Sequence, residues 1–126
     1  MIVLQWEEQG LSRVHLGILS RRQFDASEHS LRGSPVAASL AWLIDDFRGS
    51  WVDLERSAWL EQMAACLAVA AAAHAHRRHA VVVVSEVSQR LMRYLRRVDI
   101  AQAWPGCAVT RLFDCPLQAR RWVEQR

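Results

Sequence analysis

Two acidic residues in tandem, Asp45 and Asp46, close the apolar run of LAWLIDDFRGSWVDL. Carboxylates at the carboxyl end of a strand stand where open α/β sheets bind ligands. An acid/base pair requires both groups to converge on one substrate atom, whereas successive strand residues point to opposite faces. No histidine, lysine or glycine-rich phosphate loop adjoins them in sequence, so Asp45 and Asp46 read as a polar strand end and not as a catalytic pair. The segment HAHRRH supplies His74, His76 and His79. A helical metal pair needs ligands three or four residues apart on one face. Only His76 and His79 have that spacing, and His79 abuts the next strand. These histidines are expected at a solvated helix C-terminus, where the dipole favours cations, and no metal site is expected.

A second group of charges, Arg90, Arg93, Arg96 and Arg97, falls on one side of a helical pattern whose other side holds Val87, Leu91, Leu95 and Val98. Tyr94 is the one aromatic residue among them and lies on the apolar side, so the base-stacking platform of a single-strand binder is missing. Strand patterns flank this helix, unlike a helix-turn-helix recognition element. Nucleic acid is therefore a weak candidate, and an acidic protein surface or anionic lipid suits this face better. Cys66, Cys107 and Cys115 form neither a CxxC pair nor an even set, and no histidine stands beside them to activate a thiolate. They are expected to pack in a reducing compartment. Trp51 and Trp59, two of six tryptophans, bracket the start of a long helical pattern.

The elements that must position these groups follow from periodicity. Ile2, Leu4 and Trp6 alternate, as do Val14, Leu16 and Ile18, with Gly10 in the polar link between them; the pattern predicts an N-terminal hairpin with those residues on its apolar faces. Ser20 with Gln23 opens a short helix over 21–32, anchored by Phe24 and Leu31 and stopped by Gly33 and Pro35. A buried strand is expected over Leu40 to Phe47, then a loop through Arg48 to Asp53, where Asp53 caps a helix from Leu54 to His76. The β-branched run Ala80 to Val84 predicts a central strand, and Ser85 the cap of the arginine-bearing helix. AVTRLFD supplies a last strand, and Pro116 the first residue of a last helix. Strands alternating with helices imply a largely parallel α/β sheet.

The chain has 126 residues, 52% of them hydrophobic, which is enough to bury the core of one domain over 1–126. A formal net charge of +3, carried on 16 basic residues that are all arginine, permits anionic partners without requiring them. Glu7 and Glu8 interrupt the N-terminus too early for a signal peptide. The alanine-rich stretch Met63 to Ala75 is too short and too weakly apolar to span a bilayer. A cytoplasmic protein with no membrane span is expected.

Three stretches, LAWLIDDFRGSWVDL, VVVVSEVSQRLMRYLRRVDI and VTRLFDCPLQARRWV, resemble the STAS domain of sulfate transporters and anti-sigma-factor antagonists, particularly its bacterial single-domain branch. The likeness implies a mixed sheet of about five strands with an N-terminal hairpin and about four helices. It also implies a regulatory module that acts by binding protein, without a cofactor and without catalysis. Antagonists of this family carry an aspartate, two hydroxyl residues and a glycine at the helix start after the third strand, and one hydroxyl is phosphorylated. Asp53 takes the aspartate place here, but Leu54, Glu55 and Arg56 replace the rest, and Ser50 and Ser57 only flank the position. The partner surface is therefore expected on Asp46, Arg48, Ser50, Trp51 and Asp53, with self-association into a homodimer. An apolar small ligand or lipid, held by Trp51, Trp59 and the alanine-rich helix face, is the alternative.

Overall fold

A computed structural model describes residues 1–51, 61, 63, 65–66, 77–86, 89–90, 93 and 110–125. In chain order these contain β1 (Ile2–Trp6), β2 (Gly10–Ile18), helix α1 (Arg21–Arg32), a short helix α2 (Pro35–Ala38), β3 (Trp42–Trp51), β4 (Arg78–Val82), β5 (Thr110–Phe113) and helix α3 (Pro116–Val123). Glu61, Met63, Ala65 and Cys66 are helical, and so are Ser85, Glu86, Gln89, Arg90 and Arg93. Most of the helices expected over Leu54 to His76 and after Ser85 lies outside the described residues. Among the described residues, no helix is long and apolar enough to cross a membrane.

The strands form one sheet in the order β1-β2-β3-β4-β5, with β1 antiparallel to β2 and every later pair parallel. This is the mixed α/β sheet expected from the alternation of periods. Because side chains alternate along a strand, Trp42, Leu43 and Ile44 divide between its two faces. Trp42 and Ile44 join Ala80, Val82, Ala119 and Val123 beneath α3. Leu43 joins Leu11, Leu31, Ala37 and Leu40 beneath α1 and α2. Burying each of the valine, leucine and isoleucine side chains among these contributes about 1.5–3 kcal/mol.

The helix ends follow local chemistry. The Ser20 hydroxyl accepts from the Gln23 N–H at 3.2 Å, and the span of α1 matches the one read from its cap and stop. Pro35 does not merely end α1. It is the first residue of α2, whose N-cap Ser34 accepts from the Ala37 N–H, so a stop signal also served as a start. Pro116 opens α3 in the same way. Two arginines at the entry of β4 fasten these helices from opposite sides. Arg77 donates to the Ala37 carbonyl at 2.7 Å, and Arg78 donates to the Trp122 and Gln125 carbonyls at the end of α3.

Two expectations are corrected. In the hairpin, the buried face of β2 is Leu11, Arg13 and His15, whereas Ile18 is 68% exposed and Leu4 and Trp6 are exposed on β1. Alternation located both strands but chose the wrong side of β2, because Arg13 and His15 find partners in the interior; on β1 Ile2, Leu4 and Trp6 do share the face of His15, Arg13 and Leu11, and stay partly open because β1 is the edge. The third strand does not end at Phe47. It runs on to Trp51, since β2 extends to Ile18 and offers Leu16, Gly17 and Ile18 as partners for Gly49, Ser50 and Trp51. A register shift lets Phe47 and Arg48 together oppose His15, a β-bulge. The bulged Arg48 N–H is accepted by Asp46 Oδ1 at 3.0 Å.

Gly10 lies opposite Trp42 in the β2–β3 register, and a Cβ added there would overlap the buried Trp42 indole. Gly10→Ala is expected to destabilise the fold by about 1–3 kcal/mol through overpacking, measured as a lowered urea midpoint at unchanged m-value. An unchanged midpoint would show that the indole yields without cost.

Candidate functional site

The polar groups that the sequence scattered along the chain meet on the α1 side of the sheet. Asp45 in β3 stands directly opposite Arg13 in β2, with His15 two residues further along β2. On its other flank, β4 places His79 opposite Leu43, one same-face position before Asp45. Parallel pairing therefore aims three donors at one carboxylate. Arg13 Nε and Nη2 reach Oδ1 and Oδ2 at 2.7 and 2.8 Å, a bidentate fork. His15 Nε2 lies 2.8 Å from Oδ1 and His79 Nε2 lies 2.7 Å from Oδ2. An ionised carboxylate only accepts, so both imidazoles carry their proton on Nε2. From above, α1 lowers Glu28 onto Arg13 Nη1.

All of this is sealed. Arg13, Glu28, Asp45 and His79 are each 0% exposed and His15 is 2% exposed. Burial pushes the Asp45 carboxyl up, but the Arg13 guanidinium and the hydrogen bonds from His15 and His79 outweigh it and hold that carboxyl well below its ordinary value of 3.8. Burial likewise opposes the charge on Arg13, and Asp45 and Glu28 more than restore it. Arg77, also buried and under the field of Glu28, completes two cations against two anions when the imidazoles are uncharged. The His15 ring stacks on Phe47 at 4.0 Å between centroids and faces Phe24 at 5.8 Å, while the Arg13 guanidinium lies over Phe24. Among the described residues His15 Nδ1 has no partner, and His15 borders a cavity of about 10 Å³, the room one water needs.

These contacts revise two sequence expectations. Asp45 is not a polar strand end but the hub of the interior, and His79 is not a solvated helix terminus but a β4 residue bound to Asp45. The two carboxylates do diverge as alternation requires, since Asp46 turns to the other face and holds Arg48 through Oδ2 at 2.7 Å. Arg13, His15 and Glu28 were missed. The available signal was their place on the same strand or helix face as Leu11 and Leu43, or as Phe24 and Leu31. His74 and His76 lie outside the described residues, and the described residues hold no cluster suited to a metal ion.

Of the expected partner residues, the structure keeps Asp46, Arg48 and Ser50 in one strand, with the backbone of Trp51 as its last member. Ser50 is buried and donates to the His15 carbonyl, so it is unavailable as a surface hydroxyl. Asp53, Leu54 to Ser57 and Trp59 lie outside the described residues, as do Arg96 and Arg97. Arg93 is exposed and Arg90 half-buried, both helical. The Cys66 thiol is buried, and burial pushes it up to about 11, which suits packing and not reactivity. Cys107 lies outside the described residues.

The carboxyl ends of the parallel strands carry a different set. Ile18 at the end of β2, Val84 just beyond β4 and Leu117 at the start of α3 are 68%, 45% and 56% exposed. Between them lie the Arg48–Asp46 fork and a hydrogen bond from the Ser85 hydroxyl to Asp114 at 3.0 Å.

Asp45→Asn replaces an acceptor by a group that also donates, facing three donors, and leaves Arg13 undercompensated. A loss of roughly 3–5 kcal/mol is expected in denaturant titration. The sign of the pH dependence follows from the depressed carboxyl. Its contribution is complete above about pH 4, the unfolded-chain range, and is lost as pH falls from there toward the folded value. Urea titrations between pH 2 and 6 should show wild type losing stability steeply below about pH 4 and Asp45→Asn losing less. Equal slopes would remove Asp45 from the account.

No protein-family model matches the sequence, and no curated protein matches it. A solved structure described as an anti-sigma factor antagonist from Mycobacterium paratuberculosis is similar at a TM-score of 0.59, over 99% of this chain and 94% of that one, with 16% sequence identity. The mixed five-stranded sheet of this protein is thus the STAS-like fold of an anti-sigma factor antagonist.

Proposed function

We propose that this protein is a non-catalytic, cytoplasmic regulatory module that binds another protein at the carboxyl ends of its parallel strands. The observation that carries this reading is the group of exposed apolar side chains there, Ile18, Val84 and Leu117, beside polar pairs already fixed within the chain. Apolar anchors rimmed by ordered polar groups are the usual make-up of a protein contact surface. The convergence of carboxylate and imidazoles at Asp45 argues for the same conclusion. Such groups in an open cleft would suggest acid/base chemistry, but these are closed to solvent and spend their hydrogen bonds on each other.

The likeness to an anti-sigma factor antagonist supports a partner of the kind such proteins meet. In this reading the module works without the phosphorylated hydroxyl of that family, since Leu54, Glu55 and Arg56 stand in the sequence where the resemblance calls for two hydroxyl residues and a glycine. Arg90 and Arg93, both helical, supply basic groups suited to an acidic partner surface, and the helical period of the sequence would add Arg96 and Arg97 to them. Arg78 and Arg111 in the sheet stack on Trp122, and Arg120 in α3 on Trp42, so these three guanidinium groups are engaged within the chain.

Chemical cross-linking of the wild-type protein in extract of its own host, followed by mass spectrometry, is expected to place a partner's cross-links around Arg48, Ser85 and Leu117. Ile18→Asp combined with Val84→Asp should lower recovery of that partner at least about tenfold while the thermal midpoint is kept, since two apolar anchors contribute about 1–2 kcal/mol each. Recovery unchanged by the double substitution would refute the surface. Turnover of a substrate that depends on His15 or Asp45 would refute the non-catalytic role.

A further inference from the structure

The opposite side of the sheet ends in β1. Among the described residues no strand pairs with the outer edge of β1. The Leu16 N–H donates to the Met1 carbonyl, and the Glu7 N–H donates to the Gly10 carbonyl. Antiparallel ladders alternate, so Met1, Val3, Gln5 and Glu7 direct their backbone groups to β2. Ile2, Leu4 and Trp6 therefore turn their N–H and C=O groups outward. Natural edges are usually blunted by charge, proline or a bulge. The segment Ile2–Trp6 has no charged residue and no proline, and it pairs with β2 without a register shift. All its side chains but Gln5 are apolar, and Val3, Leu4 and Trp6 are open at 37%, 38% and 47% exposure.

We propose that the occupant of this edge is a second copy of the same chain, joined β1 to β1 in antiparallel register, so that two five-stranded sheets become one. The register is set by the outward groups. Only residues whose N–H and C=O point outward can exchange hydrogen bonds, and among the registers this allows, the one that overlaps Ile2–Trp6 in full places Leu4 opposite the partner subunit's Leu4 and Ile2 opposite the partner subunit's Trp6. Each pair exchanges two hydrogen bonds and lies on the α1 side of the sheet, where an apolar row meets its own copy.

Two further features favour a copy over an unrelated strand. A groove of about 420 Å³ runs between β1 and α1, lined by Ile2, Leu4, Gln23, Ala26 and Ser27. In this register it receives the indole of the partner subunit's Trp6. The charges also match. Glu8 follows the end of β1, while α1 begins beside Met1 with Arg22 next to Arg21; Glu7 is already bridged to Arg120, and Arg21 to Asp25. The two-fold brings the acidic end of each copy to the basic helix start of the other, where the helix dipole adds to the attraction.

Sedimentation equilibrium of the intact chain is expected to give twice the chain mass at micromolar concentration. Leu4→Lys sets two ammonium groups face to face across the two-fold and should raise the dissociation constant at least about tenfold with far-UV circular dichroism unchanged. Leu4→Pro removes an outward N–H and no bond within the chain, and should act likewise. Leu4→Cys should cross-link under mild oxidation faster than Val36→Cys, because the paired Cα atoms of that register lie about 5.5 Å apart. A monomeric wild type, a dimer indifferent to Leu4→Lys, or equal cross-linking at both cysteines would overturn the proposal. So would a dimer lost with Ile18→Asp and Val84→Asp but kept with Leu4→Lys, which would assign self-association to the other end of the sheet.

Discussion

The one carboxylate of Asp45 holds the centre of this protein together. Its two neighbouring strands send hydrogen-bonding groups to it, at sequence separations of 30 or more residues for each contact, and helix α1 sends Glu28 to its partner Arg13. A buried ion costs several kcal/mol in desolvation, and a single partner rarely compensates that. Here the compensation is shared between a bidentate guanidinium and two imidazoles, while Glu28 answers the remaining charge on Arg13. Such a network adds little to stability relative to an apolar core of equal volume. Its effect is specificity of register, because a one-residue slip of β2 or β4 against β3 would strand each of these groups without its partner.

That constraint also separates two kinds of surface. The interior is closed by mutual satisfaction, so the parts of the molecule able to meet others are those where apolar side chains or backbone groups remain open. Among the described residues two such places are the carboxyl ends of the parallel strands and β1. The first carries side-chain anchors without free backbone, and the second carries backbone edges with apolar cover. Surfaces so different in chemistry are able to serve two partners at once, since neither the hydrogen-bond pattern of β1 nor the anchors around Val84 belong to the other.

The elements were legible because their signals are local. Ser20 with Gln23 bounded α1, the β-branched run marked β4 to within two residues, and Pro116 opened α3. What was illegible depended on which strands lie side by side. No local pattern distinguishes Arg13 and His15 on a buried face from Arg13 and His15 on a wet one; the apolar residues Val14, Leu16 and Ile18 made the second choice the natural one. His79 was misassigned for the same reason, since its partner is 34 residues away. The continuation of β3 past Phe47 required knowing how far β2 reaches. At the candidate site, the expected strand location of Asp46 and its divergence from Asp45 were readable from alternation alone, while the burial of Ser50 was not.

Arg77 and Arg78, neighbours at the mouth of β4, reach to opposite sides of the sheet, one to the end of α2 and the other to the end of α3. Adjacent strand residues necessarily diverge in this way, so a single dipeptide works as a rivet through the sheet. Its two heads hold carbonyls at Ala37 and Trp122, far apart in the sequence, so the helix layers on the two faces are tied to one another through adjacent backbone units of a single strand entry.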